Sequence, residues 1–524
     1  MLHAPHRIVY SNIRTSILGV AILLALPRSA RAQDRDDGSR VTEATRRRDA
    51  GDLPGAAELL RPYVRRHPEE LEAARLLAQI LYWIKDFPGA RQLYEETLAL
   101  HPNDVPLRLQ YGRMLLETVD AARLGEVVTP LLDVPAARGQ AQALLGTSAY
   151  WQGDLSAAKR LLSAALRAGS TQADVRGQLR EIAALTAPWV RVASDLRHDD
   201  QPLERLGVGA DAGWFLTPLT VLTAHPTSSW LRSGDSLAIT VSAAVVRLTH
   251  YAAGIRTELE AAVGALQRTA GGATDWTGRL GIGVRLPRHF ALRARGEREV
   301  YLYTLASLTT PVMTSTGTAL LAWNHPRGWL GEAAVQRQWY PDKNAISTAY
   351  VWVLAPVARG GGSQLQIGYG ASAQNADESR FVLASPQQPY PPTDPRFSLD
   401  GRYVPYYTPA NLVTHSALAA ATARLAPSIT LRLNGSYAVR ATDDKPVLVT
   451  SAGPTPGQTV VVRSSNRRTF SPWIGRAALE LAPTGALTLA ATGEIMRTAF
   501  YTAASAGVQV GYRFTGAAVR RVER

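Results

Sequence analysis

The densest group of titratable side chains in the sequence is His198-Asp199-Asp200, which has the residue types of a metal or acid–base site. It has no further ligand or catalytic partner at a recognised spacing, and it lies where we predict a turn between two strands. The glycine-rich segment 207–213, GVGADAG, precedes no predicted helix and so lacks the context of a phosphate-binding loop. The ten histidines form no HExxH pattern, and the chain has no cysteine, which excludes disulfides, thiolate ligands and cysteine nucleophiles. We therefore expect no metal, no cofactor and no enzymatic activity.

A more regular chemical pattern is the row of charged side chains at every second position of several apolar segments. In 289–303, HFALRARGEREVYLY, one face carries arginine and glutamate, while the other is apolar apart from Arg298. The segment 429–440, ITLRLNGSYAVR, alternates in the same way. Period-two alternation predicts β-strands with one polar and one apolar face. We predict that the polar faces line a lumen, with the lining residues Arg279, Arg285, Arg293, Arg295, Glu297, Glu299, Arg432, Arg440, Glu494 and Arg513.

The strands that would hold these residues occupy 187–514. At roughly 20 residues per strand and connection, this length predicts an antiparallel transmembrane β-barrel of about 16 strands. Long polar connections at 374–411 and 441–468 contrast with the short turn at 483–485, and such asymmetry is typical of these barrels. A soluble sandwich is the alternative, but its packed interior would not solvate rows of arginine and glutamate.

The end of the strand-rich part carries a second indication of a barrel. Tyr512 and Phe514, separated by one residue, are similar to the C-terminal signal that the outer-membrane insertion machinery reads. Residues 515–524 follow this pattern, and we predict that they form a tail outside the barrel.

The first 32 residues, 1–32, have the pattern of a secretory signal peptide. Arg7 and Arg14 precede the apolar run 16–27, and a small-x-small cleavage site ends at Ala32. The apolar run is too short to span a bilayer as a helix. We therefore predict that the mature protein is exported and that any membrane-embedded part of it consists of β-strands.

Residues 33–186 are predicted to be helical, with a repeat of 34 residues. GDLPGAAELLRPYVRRHP at 51–68 aligns without a gap with KDFPGARQLYEETLALHP at 85–102, and 153–166 repeats the pattern again. This is the tetratricopeptide pattern, in which helical hairpins stack into an α-solenoid. We predict about four repeats, of which the one near 105–136 is degenerate, followed by a closing helix.

The formal net charge of +14 lies mainly in the strand-rich part, where arginine dominates and Lys343 and Lys445 are the lysines. Arginine on a lipid-facing surface costs about 2–4 kcal/mol at the bilayer midplane, so most of these side chains should line the lumen or the rims. A positive lumen attracts anions. Alternatively, arginines at the rims and in the loops bind the phosphates of the outer leaflet, and the two interpretations are compatible.

The order of a tetratricopeptide array followed by a barrel resembles that of outer-membrane polysaccharide exporters. Within the barrel, Tyr406-Tyr407-Thr408-Pro409 is similar to the Tyr-Tyr-Ser-Pro motif of the cellulose synthase operon C protein and of YaiO-type barrels, with threonine in place of serine. From the residues alone, paired tyrosines suit a membrane interface, and Pro409 suits the start of a strand. The array is shorter than in the cellulose exporters, so it has fewer surfaces for periplasmic partners.

These observations lead to one main expectation and two alternatives. The resemblance implies a channel of the bacterial outer membrane, with its helical domain in the periplasm, that takes part in exopolysaccharide export. One alternative is a non-exporting anchor or scaffold whose repeats bind periplasmic proteins, and the other is an anion-preferring porin. The expected partners are outer-membrane lipid, periplasmic proteins and, for the exporter, a polysaccharide chain, but no nucleic acid.

Overall fold

A computed structural model gives the fold of the chain between residues 33 and 516, with short gaps. It describes residues 33–170, 173–200, 203–234, 237–269, 274–302, 307–308, 310–383, 401–498 and 501–516. The predicted signal peptide, 1–32, and most of the predicted tail lie outside the described residues. Within the described part, helices precede strands, as the sequence predicts.

Helical hairpins occupy the described chain up to Leu185. Within the hairpins, the helices approach closely through small side chains, and Ala56, Ala78, Ala90 and Ala158 are fully buried. The helices are α1 (Gln33–Asp49), α2 (Leu53–Arg66), α3 (Leu71–Trp83), α4 (Phe87–Leu100), α5 (Val105–Glu117), α6 (Ala121–Val128), α7 (Pro135–Trp151), α8 (Leu155–Arg167) and α9 (Ala173–Leu185). Among the residues that the structure describes, no helix is both long and apolar enough to cross a membrane.

An aspartate begins the second helix of each hairpin, at a spacing of 34 residues. Asp52, Asp86, Asp120 and Asp154 each accept a hydrogen bond, 2.9–3.2 Å long, from the backbone N–H three residues later. Such an N-cap contributes about 1 kcal/mol because it satisfies an otherwise unpaired donor. The repeat near 105–136, which looks degenerate in the sequence, therefore keeps its cap at Asp120 and with it the regular period.

The rest of the described chain is mainly strand, and 16 of its strands close into an antiparallel barrel. The first strand pairs with the last, with Trp189 opposite Arg513, which confirms the predicted architecture and strand number. The strands are β1 (Trp189–Asp199), β2 (Leu203–Thr217), β3 (Thr220–Ser233), β4 (Leu237–Ala252), β5 (Thr257–Arg268), β6 (Thr274–Arg285), β7 (Phe290–Tyr301), β8 (Val312–Asn324), β9 (Leu330–Trp339), β10 (Ala345–Gly360), β11 (Ser363–Ala376), β12 (Phe381–Leu383), β13 (Gly401–Tyr403), β14 (Leu412–Ala426), β15 (Ile429–Ala452), β16 (Thr459–Phe470), β17 (Trp473–Leu481), β18 (Leu487–Arg497) and β19 (Thr502–Arg513).

The two ends of the barrel carry different connections. We call the end where the chain enters the barrel at Trp189 proximal, and the opposite end distal. Proximal turns are short, as at 218–219, 361–362 and 427–428. The distal end carries the long connection from β11 to β14, which includes the ribbon of β12 and β13, and a hairpin in which β16 pairs with the second half of β15. The connections therefore differ between the two ends, as the sequence predicts.

The chain divides into two compact units after Leu131, so α7, α8 and α9 belong with the barrel. At the proximal end, the Arg513 guanidinium donates hydrogen bonds to the carbonyls of Ala184, at 3.5 Å, and Leu185, at 2.7 Å. Leu219, in the turn between β2 and β3, packs against the apolar cluster of these three helices. Helix α9 ends at Leu185 and the first strand begins at Trp189, whereas the compact units divide earlier in the chain.

Candidate pore and distal clamp

The outward face of the barrel is apolar. Val263, Leu280, Val335 and Val508 expose 59–69% of their surface. Exposed aromatic residues lie on this face toward both ends: Trp214 and Tyr512 at the proximal end, and Trp230, Trp276 and Trp339 at the distal end. An apolar band between two aromatic girdles is the surface that a transmembrane barrel presents to lipid.

The inward face carries a ladder of alternating charges across β4, β5, β6 and β7. Arg247 and Arg279 lie 3.4 Å and 3.6 Å from the same carboxylate oxygen of Glu260. Arg279 also contacts Glu297 at 3.0 Å, and Arg295 lies 3.6 Å from the other oxygen of that carboxylate. Three predicted lining residues, Arg279, Arg295 and Glu297, thus meet on one face. Arg247 and Glu260 extend the ladder. In TELEAAVGALQR, the sequence of β5, the two glutamates stand two residues apart, and this alternation could have indicated that Glu260 faces inward.

Three more of the predicted residues share the inward face with this ladder. Arg293 and Glu299 take the next inward positions of β7 on either side of the ladder residues, because side chains alternate along a strand. Arg285 lies toward the proximal end, where its guanidinium is 4.9 Å from the centroid of the Tyr251 ring. This cation–π contact holds the Arg285 side chain against the wall.

A second group of inward charges crosses β15, β17 and β18. Arg432 donates a hydrogen bond to Glu480 at 2.5 Å, and Arg476 is paired with Glu494. Arg432 and Glu494 are among the predicted lining residues, whereas their partners Glu480 and Arg476 are not. The alternation of arginine and glutamate in WIGRAALEL, 473–481, is the signal that would have found them. In both groups, most of the inward charge is balanced by a neighbour of opposite sign.

Arg440 is a correction to the sequence analysis. The register between β14 and β15 shifts at Val439, so that His415 stands opposite Arg440. His415 faces outward, where its Nδ1 lies 2.5 Å from the hydroxyl of Tyr369, an exposed residue of the apolar face. A β-bulge of this kind adds a residue and breaks the alternation. Arg440 therefore lies on the outward face near the distal rim, not on the inward face with Arg432.

Arg513 lies on the inward face at the proximal end. Its hydrogen bonds to the carbonyls of Ala184 and Leu185 satisfy acceptors at the end of α9, which the helix itself leaves unpaired. Arg513 therefore fixes the end of α9 to the barrel.

The YYTP segment, residues 406–409, folds against the inward face at the distal end. Tyr406 is only 1% exposed, and its ring stacks on that of Tyr340 with centroids 3.6 Å apart. Val312 and Ile346 point inward from β8 and β10 and complete the apolar contact. The interfacial position that paired tyrosines suggest is therefore wrong for Tyr406, because the connection that carries it turns into the barrel.

The Tyr406 hydroxyl is the centre of a polar cluster. It lies 2.8 and 2.9 Å from the two oxygens of the Asp342 carboxylate, to which it donates, and Arg380 donates to this carboxylate at 2.5 Å. Burial, with help from the bond to Asp342, raises the pKa of Tyr406 to about 12. Burial also opposes ionisation of Asp342, but the hydrogen bonds from Arg380 and Tyr406 outweigh it and lower the pKa of this carboxyl. The cluster thus links the β9–β10 turn to the β11–β14 connection through an ionised carboxylate.

A second cluster of the same composition surrounds Tyr407. Its hydroxyl lies 3.4 Å from the buried Asp443, which accepts two hydrogen bonds from Arg468 at 2.6 and 2.7 Å. This cluster links the β11–β14 connection to the β15–β16 hairpin. The aspartates lie 64 and 36 residues from their tyrosines, so no local pattern in the sequence indicates them. We call the two clusters together the distal clamp: Tyr406, Asp342 and Arg380, and Tyr407, Asp443 and Arg468.

Thr408 and Pro409 hold the same connection in place. The Thr408 hydroxyl accepts a hydrogen bond from the backbone N–H of Arg380 at 2.9 Å, and the Pro409 carbonyl accepts one from the N–H of Ala376 at 2.8 Å. Both residues are buried. Thr408, which stands where the similar motif has serine, thus uses its hydroxyl to hold Arg380.

Leu308 covers another part of the distal inward face. Leu308, in the connection after β7, is fully buried and packs with inward-facing side chains of β3, β4 and β5: Leu231, Ile239, Val241 and Leu266. Together with the YYTP segment, Leu308 therefore occupies space inside the distal end of the barrel.

The cluster His198-Asp199-Asp200 stabilises a distal turn. Asp199 accepts a hydrogen bond from the backbone N–H of Leu203 at 3.0 Å, and Asp200 accepts one from the N–H of Thr502 at 3.0 Å. These bonds agree with the interpretation of the cluster as a turn.

The tetratricopeptide repeat family model matches residues 41–105. Among solved structures, a "Bacterial polysaccharide outer membrane secretin" is 10% identical, with 63% of this chain and 99% of that chain covered and a TM-score of 0.45. "CdiB from Acinetobacter baumannii" is 10% identical, with 63% and 60% covered and a TM-score of 0.36. PilF of Pseudomonas aeruginosa is 18% identical, with 29% and 68% covered and a TM-score of 0.26. No curated protein matches the chain. The chain joins tetratricopeptide repeats to a closed, antiparallel, 16-stranded β-barrel.

Proposed function

We propose that the barrel is an outer-membrane channel that takes part in the export of an exopolysaccharide. The observation that carries the proposal is the inward face, where paired charges present hydrogen-bond donors and acceptors around the wall. A chain that must move needs many weak contacts rather than one tight site. The similarity of the YYTP segment to the motif of polysaccharide exporters supports the same function.

The distribution of outward-facing arginines supports an outer-membrane location and an orientation. Five of them lie toward the distal rim: Arg232, Arg298, Arg337, Arg440 and Arg497. In the proximal half of the described strands, no Asp, Glu, Lys or Arg points outward. Anionic lipid headgroups attract arginine. This asymmetry supports a distal end at the cell surface and a helical domain in the periplasm.

The pairing of inward charges favours a sugar chain over a small anion as the transported species. An anion-selective pore needs an uncompensated positive field. Here Glu260 and Glu297 offset the arginines of the ladder, and Glu480 offsets Arg432. The anion-preferring porin is therefore the weaker alternative.

The tetratricopeptide repeats would bind periplasmic proteins. In the first compact unit, Trp83, Leu100 and Val119 expose 43%, 55% and 69% of their surface. These apolar side chains are available for contact with another protein. We assign no catalytic step to either part of the chain.

The distal clamp favours a second candidate function, a non-exporting anchor. Loops that fold onto the inward face narrow the distal end, and a barrel held in this state would serve to fix the repeats to the membrane. The two functions differ in whether this barrel itself is needed for release of the polymer.

The test is deletion of the gene, followed by measurement of extracellular and periplasmic polysaccharide. Export predicts polymer trapped in the periplasm, which the full chain releases. As the matched control, the helical repeats fused to an unrelated outer-membrane barrel should fail to release it. Release by this fusion would establish the anchor function instead, and unchanged polymer in both compartments would refute export.

A further inference from the structure

The inward face has one sector that is almost free of charge, formed by β8, β9, β10, β11 and β14. Its inward positions hold mainly threonine, serine, glutamine, aromatic and small residues, as the strand register and the alternation of side chains assign them. Among the described residues of these five strands, the charged side chains at inward positions are Glu332 and, beside the proximal turns, Arg359 and Arg424. The sector therefore differs from the ladder of β4 to β7, where arginine and glutamate face each other.

A row of amides and hydroxyls crosses this sector. Thr318, Gln336, Thr348 and Gln374 stand opposite one another in register on β8, β9, β10 and β11, and all four are partly exposed. Within the described chain, the side-chain amides of Gln336 and Gln374 have no hydrogen-bond partner. Amides and hydroxyls both donate and accept hydrogen bonds, and a sugar hydroxyl does the same. The row therefore matches the hydrogen-bonding groups of a sugar chain without the need for charge.

Two aromatic residues of β10 point inward on the proximal side of this row. The Tyr350 hydroxyl donates to Glu332 at 2.7 Å and so engages the carboxylate of the sector. Trp352, near the middle of β10, is partly exposed and has Glu332 opposite it on β9 and Gly370 opposite it on β11. Because glycine has no side chain, β11 places nothing beside Trp352 at this level. The indole thus offers an apolar surface in a wall that otherwise forms hydrogen bonds.

We infer that Trp352 and the row from Thr318 to Gln374 form a subsite for uncharged sugar units inside the barrel. The apolar C–H face of one sugar ring would lie on the indole, and the hydroxyls of another unit would bind the row. Trp352 lies four residues from Thr348 along β10, which is about 13 Å of strand, so the two contacts reach different units of one chain. The inference rests on the proposed function, because it names the class of polymer that the channel accepts.

The charges that border the sector favour a neutral chain. A polymer of uronate units needs arginines whose charge is not already balanced. On the two sides of the sector, Arg295 lies 3.6 Å from Glu297, and Arg432 is paired with Glu480. A cationic polymer needs free carboxylates, but the carboxylate within the described sector, Glu332, already accepts the bond from Tyr350.

The test measures sugar binding to the purified full chain in a detergent that has no sugar headgroup. Titration by saturation-transfer difference NMR is the readout, because it detects weak binding whether or not the barrel conducts. Maltohexaose and cellohexaose are the neutral probes, which differ in linkage. Hexagalacturonate is the anionic probe, and it shares the linkage of maltohexaose. We expect at least one neutral probe to bind, and to bind more tightly than hexagalacturonate.

Substitutions then locate the subsite. Trp352→Ala should weaken binding of the neutral probe roughly fivefold or more, because it removes the stacking surface, and Trp352→Tyr should restore most of the affinity. Gln336→Leu combined with Gln374→Leu removes both amides at similar size and should also weaken binding. Trp339→Ala is the matched control: Trp339 is exposed on the outward face of β9, so its loss should leave binding unchanged. Heat-modifiable gel mobility verifies that each variant is folded.

Several results would overturn the inference: no binding of either neutral probe, unchanged binding in Trp352→Ala or in the double glutamine variant, an equal loss in Trp339→Ala, or tighter binding of hexagalacturonate. The gene-deletion test distinguishes this inference from the proposed function. Polymer trapped in the periplasm without neutral-sugar binding by the protein would support export and overturn the subsite. Trp352-dependent binding with unchanged polymer in both compartments would support the subsite and refute export.

Discussion

Replacing Tyr406 by phenylalanine removes one hydroxyl from the distal clamp and keeps the ring. The hydroxyl donates to an ionised carboxylate, and a hydrogen bond to a charged group contributes about 1.5–3 kcal/mol. The stack on Tyr340, with centroids 3.6 Å apart, does not need the hydroxyl. We therefore expect the equilibrium constant for local opening of the β11–β14 connection to rise by about 10-fold to 150-fold.

Tyr407→Phe is the matched comparison. The Tyr407 hydroxyl is 3.4 Å from Asp443, and two hydrogen bonds from Arg468 satisfy that carboxylate without it. The longer contact and the satisfied acceptor predict a loss below about 1 kcal/mol, or less than roughly fivefold in the opening constant.

Limited proteolysis of the folded protein measures the difference. Trypsin cuts after Lys343 and Arg380, which lie in the loops that the clamp joins. When opening and closing are fast compared with cleavage, the cleavage rate follows the population of the open state. Mass spectrometry assigns the cuts, and cleavage after Arg327, in a proximal turn, serves as the internal control.

Equal acceleration of cleavage in both variants, or an unchanged distal cleavage rate in Tyr406→Phe, would contradict this expectation. Faster cleavage at the proximal control site would show instead that the substitution loosens the whole barrel.

Three other predictions follow from the ladder, the clamp and the caps. Glu297→Gln leaves Arg279 and Arg295 without a shared carboxylate. The reversal potential across a planar bilayer in a KCl gradient should therefore shift toward anion preference. An unchanged reversal potential would contradict the inward position of Glu297. Because hydrogen bonds lower the pKa of Asp342, its stabilisation is complete above the unfolded-state pKa of about 4 and is lost as the pH falls through the lower folded value. Loop hydrogen exchange, corrected for its intrinsic rate, should therefore rise on acidification, and it should rise less in Asp342→Asn. Asp120→Ala should lower the unfolding free energy of the helical signal in urea by about 1 kcal/mol, and no change would show that the third repeat does not depend on its cap.

Regular patterns in the sequence predict most of the barrel and the helical repeats. Alternation assigns Arg279, Arg295 and Glu297 to one face because a strand has a fixed period of two. It fails at Arg440, since a bulge depends on the pairing of two strands and leaves no mark on the alternation of either. The helical period likewise predicts the hairpins, while the separation of compact units after Leu131 depends on tertiary packing.

The position of the YYTP segment also could not be predicted from the local sequence. The partners of Tyr406 and Tyr407 come from the β9–β10 turn and from the β15–β16 hairpin, far along the chain. In the sequence, a pair of tyrosines at a lipid interface looks the same as a pair in a buried cluster. Only the path of the connection, which turns into the barrel, distinguishes the two.

The pairing of β1 with β19 makes a seam in the wall. Every other pair of neighbouring barrel strands in the described chain is joined covalently by a turn, a loop or a hairpin. The seam has no such covalent connection. Its two strands are held by non-covalent contacts along eleven opposed residue pairs, from Trp189 opposite Arg513 to Asp199 opposite Ala503. The ring cannot close until its last strand has been synthesised, because that strand completes the circle. The seam is also the place where two neighbouring strands can separate without any change in chain connectivity.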